Sequence, residues 1–180
     1  MGKATDDLRH EHEVILSVLD IADDIMNSAK SEEIKLKYCN EVLYFLSTFT
    51  DKCHHGKEDA YLFPTLVLKG VPDNDGVIAI LMHEHVLGRT MVQNMREDIE
   101  KKDLVSLQEH FGEYSIFVRR HLHKENNVLF PLSDKLLKQE DQDELIEDYE
   151  IHEESIVGHG IHDQIIKMID TWLIEFEIKA

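Results

Sequence analysis

Apolar residues recur at three- and four-residue spacing through most of the chain, which is the pattern of amphipathic helices. Turn and cap residues divide this pattern into four long helices with short links. The predicted helices run from Thr5 or Asp6 to about Ser28, from Ser31 to Gly70 with a kink or restart at Pro64, from Asp73 or Asp75 to Lys101, and from Asp103 to about Gln139 with an interruption near Pro131. Short links make sequential helices antiparallel, and no sustained two-residue alternation with hairpin turns competes. The pattern therefore predicts an all-α fold, an up-down-up-down four-helix bundle over about residues 5–139.

The remainder, about residues 140–180, is predicted to be an additional C-terminal helical segment of the same single domain, residues 1–180. Gln139–Glu154 is acidic and weakly periodic, which indicates a short exposed helix, and Gly158-His-Gly160 ends it. A clearly amphipathic helix follows and ends near Ile178. Its apolar stripe consists of Ile161, Ile165, Met168, Ile169 and Trp172. Such a stripe has to be buried, either against the bundle or against a second copy in a homodimer.

Composition excludes several partners. The formal net charge is −18, from 37 acidic and 19 basic residues, so the chain repels nucleic acid and anionic membrane surfaces, and neither is expected as a partner. The sequence has no apolar run of the length that spans a membrane and no apolar signal-peptide core near its start, so we expect a cytoplasmic protein. Cys39 and Cys53 are predicted to be buried free thiols, and neither is expected to bind metal.

One stretch occurs twice. Residues 54–64 and 121–131 align without a gap, and each copy places a Glu four residues after a His: Glu58 after His54, and Glu125 after His121. On a helix this spacing puts both side chains on one face, about one turn apart. A smaller repeat precedes each copy, because residues 8–12 and 81–85 both contain His-Glu-His. The chain is therefore read as an internal duplication.

Helical periodicity separates the histidines, of which the chain has 12. Those predicted to face the interior, with the two glutamates, are His12, His54, Glu58, His85, His121 and Glu125. Those predicted to lie on the surface are His10, His55, His83 and His123, with His55 about 100° round the helix from its inward neighbour. Buried glutamates need cationic partners, so the inward set predicts a site for two divalent metal ions.

The donor types narrow the choice of metal. Imidazole and carboxylate without thiolate suit Fe, Mn, Zn or Ni. Six protein ligands leave coordination positions open, and two carboxylates leave room for an oxo, hydroxo or exogenous anion. Such a site fits iron and dioxygen chemistry best. Glu11 and Glu84 are candidates to accept hydrogen bonds from ligand imidazoles, and partners on other helices could do this equally well. Lys57 and Lys124 are predicted to be solvated, with tuning of the neighbouring glutamate as the alternative.

This ordered set, with Leu-Phe-Pro after each paired motif, resembles the hemerythrin-like (HHE cation-binding) domain family over roughly residues 5–140. The resemblance implies a four-helix bundle around a non-haem di-iron centre, with two oxo- or hydroxo-bridged Fe ions and Zn or Mn as alternatives. It further implies that His12, His54, His85 and His121 are terminal ligands and that the remaining two, Glu58 and Glu125, are bridging carboxylates.

The sequence also departs from the oxygen-carrying hemerythrins, which have five histidines arranged three and two. The third helix supplies no second His, because Leu81 stands four residues before His85 and Arg89 four after it. His162, in a Gly-His-Gly-Ile-His stretch that resembles one found after the bundle in some family members, is predicted as the fifth histidine ligand.

The function implied is a non-haem di-iron protein that reversibly binds or senses dioxygen or a related small molecule. One alternative is a di-iron redox enzyme acting on peroxide or nitric oxide, and another is iron storage or homeostasis. No nucleotide loop or nucleophile triad appears, which disfavours a more elaborate enzyme. Upstream of His121, Phe117 and Tyr114 suggest an apolar wall and a hydrogen-bond donor for a bound diatomic.

Overall fold

The computed structural model describes residues 2–178, and all regular secondary structure in that range is helical, with no strand. The α-helices are α1 (Lys3–Asn27), α2 (Glu32–Phe45), α3 (Phe63–Leu68), α4 (Gly76–Lys101), α5 (Leu104–Lys124), α6 (Phe130–Leu136), α7 (Gln139–His152) and α8 (Ile161–Glu175). The predicted all-α class is confirmed. No helix of the described chain is both long and apolar enough to cross a membrane.

Four π-helical segments join or extend these helices: π1 (Leu46–His55), π2 (Glu58–Leu62), π3 (Glu125–Leu129) and π4 (Glu153–Gly158). Two of them, π2 and π3, come directly before a Phe-Pro pair. Proline has no backbone N–H and its ring clashes with the carbonyl four residues back. The N–H of Phe63 instead donates to the carbonyl of Glu58, and that of Phe130 to Glu125, five residues back. The wider turn therefore absorbs Pro64, and the chain stays helical from Glu32 to Leu68.

Side-chain caps fix two of the predicted helix starts. The Ser31 hydroxyl accepts a hydrogen bond from the backbone N–H of Ile34, and the Asp103 carboxylate accepts one from Ser106. Lys102, directly before Asp103, adopts the left-handed conformation that ends α4. The long helices then pack around one interior, since α1 and α4 each contact α2 or π1 and also α5 or π3.

The interior consists of two apolar clusters with polar residues between them. The larger cluster contains Ile15 to Met26 of α1 and the apolar residues of α2, α5 and α8, whereas the smaller contains Leu8, Leu62, Leu81 and Leu129. Each long helix passes from one cluster to the other. The residues that lie at the crossing are His12, His54, Glu58, His85, His121 and Glu125, and all are buried. We call these six the polar layer.

The C-terminal segment packs against the same chain. The prediction of an exposed helix over Gln139–Glu154 is wrong, because Leu145, Tyr149 and His152 are buried and α7 contacts α1 and π2. In α8, Ile165 and Trp172 are buried in the larger cluster. The apolar stripe of α8 thus has its partner within the chain, and a homodimer through this helix stays a prediction.

Candidate metal centre

The structure brings the six residues of the polar layer together from four helical stretches. They form two groups whose donor atoms lie within 4.8 Å of one another, and both groups contain Glu125. One consists of Glu58, His85, His121 and Glu125, and the other of His12, His54 and Glu125.

Glu125 faces both groups with different oxygens. Its Oε2 lies 3.1 Å from Nε2 of His12, and its Oε1 lies 2.9 Å from Nε2 of His121. Glu58 approaches both groups as well, with Oε2 3.4 Å from Nε2 of His85 and 3.9 Å from Nε2 of His54. Each carboxylate is therefore situated where it could bridge two ions.

Several buried atoms of the layer make no hydrogen bond within the described chain: both carboxylate oxygens of Glu58 and Glu125, and Nε2 of His85 and His121. The close approach of His121 to Glu125 lacks the alignment of a hydrogen bond. Buried polar groups are normally paired, so donor atoms that converge without pairing are arranged as ligands for a cation. Imidazole and carboxylate are donors that first-row divalent metals accept.

The Nδ1 atoms of the four imidazoles are all held from outside the layer. Glu11 accepts from His54 at 2.9 Å, and Glu84 accepts from His121 at 2.9 Å. Both hydrogen bonds were predicted and are confirmed. They fix the rings so that Nε2 points inward, as the outer partners of metal-bound histidines do.

The sequence analysis missed the other two outer partners. Asp59 pairs with Nδ1 of His85 at 2.8 Å, and Asn126 with Nδ1 of His12 at 3.0 Å. These residues directly follow Glu58 and Glu125, so they occupy equivalent positions in the duplication. A comparison of the two copies one residue beyond each glutamate could have found them.

The prediction that Lys57 is solvated is wrong, since it is 0% exposed. Its Nζ donates to Glu11 at 2.9 Å and to Asp7 at 3.1 Å, and it also pairs with Glu153. In the other half, Lys124 pairs with Glu84 but is partly exposed. Each His-Glu-His glutamate thus binds one imidazole and one ammonium from the following motif.

When no cation is bound, protons compensate the buried carboxylates. Burial alone lowers the pKa of each histidine, but the surrounding carboxylates outweigh it and raise the pKa of His54 to about 10, of His85 to about 11 and of His121 to about 9. Burial likewise opposes ionisation of Glu11, yet His54 and Lys57 lower the pKa of this carboxyl to about 2. The layer is therefore built around positive charge.

The prediction that His55 faces water is also wrong. It is 6% exposed, its ring stacks on that of His85 with centroids 4.0 Å apart, and neither ring nitrogen has a hydrogen-bond partner among residues 2–178. Burial and the neighbouring histidines hold its pKa well below the ordinary value. His55, His85 and His121 form a further group that could hold a metal ion.

The physical reason is that π1, which carries His54 and His55, packs against both α1 and α4. Two neighbouring side chains of π1 can therefore both be buried, each against a different helix. His54 is directed at α1, where it meets Glu11, and His55 is directed at α4 and α5. A sequence signal for this existed, because the duplication aligns His55 with Leu122, an apolar residue that is also buried.

The structure does not bring His162 to the layer. Its Nε2 lies 3.5 Å from Sγ of Cys53 and its Nδ1 3.4 Å from Glu153, at a partly exposed position. The other surface predictions agree with the structure, since His10, His83 and His123 are exposed.

Aromatic rings cover the layer. Phe130 stacks on His12 and Phe63 on His85, with centroids 5.2 and 5.8 Å apart, so each Leu-Phe-Pro motif packs against one imidazole. Phe117 lies parallel to His121 at 6.4 Å. Tyr114 is buried and lines a cavity of about 150 Å³ that also reaches His55, Arg89 and other side chains of π1 and α4.

No curated protein and no solved structure matches the chain. A family model described as the hemerythrin HHE cation binding domain matches residues 3–133, which is well over half of the chain and includes the whole polar layer. The chain therefore belongs to the hemerythrin HHE cation-binding domain family.

Proposed function

We propose that the protein holds two iron ions in the polar layer, within an up-down-up-down four-helix bundle, and binds dioxygen or a related small molecule reversibly. The observation that carries this proposal is Glu125, whose two oxygens face two separate histidine groups from a fully buried position. A carboxylate in that position is suited to join two cations rather than to enclose one.

In this proposal the two ions would have different numbers of histidine ligands. His55, His85 and His121 serve one ion, and His12 and His54 serve the other, with Glu58 and Glu125 between them. This assignment replaces the predicted fifth ligand, His162, with His55. The group with two histidines would supply fewer protein donors, so we assign the side of His12 and His54 as the place where the small molecule would bind.

Two Fe(II) ions, when bound, supply the electrons that dioxygen accepts on binding. The chain contributes the environment. Glu11 and Asn126 orient His54 and His12, so the open side of that group keeps its geometry. Phe130 stacks on His12 and excludes water there, which makes it a better apolar wall for the ligand than the predicted Phe117.

Anaerobic loading with Fe(II), followed by admission of air, tests the proposal. We expect two irons per chain and a coloured adduct that disappears when the oxygen is removed. Prompt and permanent oxidation would favour the redox enzyme, iron uptake without an adduct would favour storage, and tight zinc binding without iron uptake would refute the di-iron centre.

The chain offers matched controls only two residues apart on the same helix. His12→Ala removes a residue of the layer, whereas His10→Ala changes an exposed one. The first variant should lose iron and the adduct, and the second should keep both. Equal behaviour of the two variants would contradict the assignment.

A further inference from the structure

Three side chains with metal-binding donors meet outside the polar layer, at the junction of the helical core and the C-terminal segment. They are Cys53 of π1, Glu153 of π4 and His162 of α8, and one donor atom of each lies within 4.8 Å of the others. None of the three belongs to the proposed di-iron centre.

The distances fit a single ion. Sγ of Cys53 and Nε2 of His162 are 3.5 Å apart. A tetrahedral zinc ion, with sulfur at about 2.3 Å and nitrogen at about 2.0–2.1 Å, holds these two atoms about 3.6 Å apart. Oε2 of Glu153 lies 3.4 Å from Nδ1, the other nitrogen of this ring. One donor atom of each of the three residues lies within 4.8 Å of the others, so a rotation of the Glu153 side chain toward Nε2 completes the donor set.

The charges around this cluster favour a cation. Lys57 is the ammonium shared by Asp7, Glu11 and Glu153, and the His54 imidazole also pairs with Glu11, so three carboxylates face at most two positive charges. Oε1 of Glu11 also lies 3.5 Å from Sγ of Cys53. A divalent ion beside Cys53 would balance the excess negative charge.

Solvent reaches the cluster from one side. Cys53 is 0% exposed, but the side chains of His162 and Glu153 are 39% and 29% exposed. An ion can therefore enter from the surface and keep a water molecule as its fourth ligand, which is the arrangement of an open zinc site.

We propose that Cys53, Glu153 and His162 bind one thiophilic divalent metal ion, with Zn²⁺ as the best fit, in a mononuclear site separate from the di-iron centre. The ion ties the C-terminal segment to the helical core. This site goes beyond the proposed function and does not depend on it.

Titration with Co²⁺ tests the site, because thiolate bound to Co²⁺ gives a near-ultraviolet charge-transfer band that histidine and carboxylate donors cannot give. We expect the amplitude of the band at saturation to correspond to one thiolate-bound Co²⁺ per chain, because Co²⁺ taken up by the polar layer gives no such band. It should be absent in Cys53→Ser and retained in Cys39→Ser, which changes the other buried thiol. It should also persist in His12→Ala, which impairs only the polar layer, so failure of one site is distinguishable from failure of the other.

A second pair of variants keeps the test independent of the buried cysteine. His162→Ala should weaken the Co²⁺ affinity reported by this band at least about tenfold, the smallest loss usual for a partner around a bound metal. His159→Ala, which changes an exposed neighbour, should leave the affinity unchanged. A folded wild-type protein without the band, a band that survives in Cys53→Ser, or equal affinities of the two histidine variants would overturn the proposal.

Discussion

Replacing His55 with leucine should change the stability of the metal-free and iron-loaded proteins in opposite directions. Both ring nitrogens of His55 are buried without a hydrogen-bond partner in the part of the chain that the structure describes, and a buried unsatisfied polar group costs about 1–3 kcal/mol. Leucine already occupies the equivalent buried position of the second half, Leu122, and a core exchange of similar size costs less than about 1.5 kcal/mol. The free energy of unfolding of metal-free His55→Leu should therefore rise by about 1 kcal/mol.

The iron-loaded variant should instead be less stable than iron-loaded wild type. Loss of a residue that only hydrogen-bonds to a metal ligand lowers metal affinity about 10- to 100-fold. If His55 is itself a ligand, its loss should lower iron affinity by at least that much. At saturating iron this removes about 1.4–2.7 kcal/mol of the stabilisation that binding provides, which exceeds the gain in the metal-free chain.

Urea unfolding, followed by far-ultraviolet circular dichroism with chelator or with iron, measures both differences, and chelator competition gives the affinity. His83→Leu, at an exposed position, is the control and should change either stability by no more than about 0.5 kcal/mol. Loss of stability in the metal-free variant would mean that the His55 ring is satisfied where it lies. Unchanged iron affinity would remove His55 from the ligand set.

Three further outcomes follow from the same contacts. Glu11→Gln and Glu84→Gln should each lower iron affinity about 10- to 100-fold in chelator competition, because each weakens the hydrogen bond to a ligand Nδ1; unchanged affinity would make these contacts incidental. The metal-free chain should lose stability to urea from about pH 6.5 to about pH 11, because the pKa values of His121, His54 and His85 are raised to about 9, 10 and 11 in the folded chain. The stabilisation is complete below the unfolded value and is lost as pH rises through each folded one, so a flat profile would contradict this. Trp172→Ala should lower the free energy of unfolding by about 3–5 kcal/mol without altering iron binding, because Trp172 is fully buried. Trp172→Phe, which loses chiefly the hydrogen bond to Glu41, should lower it less. An alanine variant as stable as wild type would mean that α8 does not pack on the core.

Duplication made most of the centre predictable from sequence. The two His-x-x-x-Glu motifs and the two His-Glu-His stretches identify the six residues of the polar layer and the roles of Glu11 and Glu84 as hydrogen-bond acceptors. Helical spacing supported the same choice, because all six side chains of the polar layer are buried.

Two positions at the edge of a buried face were misjudged for a common reason. A rotation of 100° from an inward residue leads to solvent only if the helix has one buried side. The helix that carries His55 and Lys57 has neighbours on several sides, α1, α4 and the C-terminal segment, and each polar side chain finds its partners there. The burial of α7 was not predicted for a related reason. Its apolar residues are only weakly periodic, so the sequence does not indicate that α7 packs against α1.

The duplication also shows where the two halves have ceased to be equivalent, and two of these differences act in the same direction. The outer partner of His85 is a carboxylate, Asp59, whereas that of His12 is an amide, Asn126. A carboxylate makes the imidazole it holds a more basic ligand than an amide does. His55 adds a further imidazole to the same side as His85, at the position where the other half has Leu122. In the proposed assignment, the group of His55, His85 and His121 would therefore supply its ion with more imidazole donors than the other group. The group that contains His12 would supply fewer donors, one of them less basic, so the asymmetry between the two sides follows from which residue of each duplicated pair has changed.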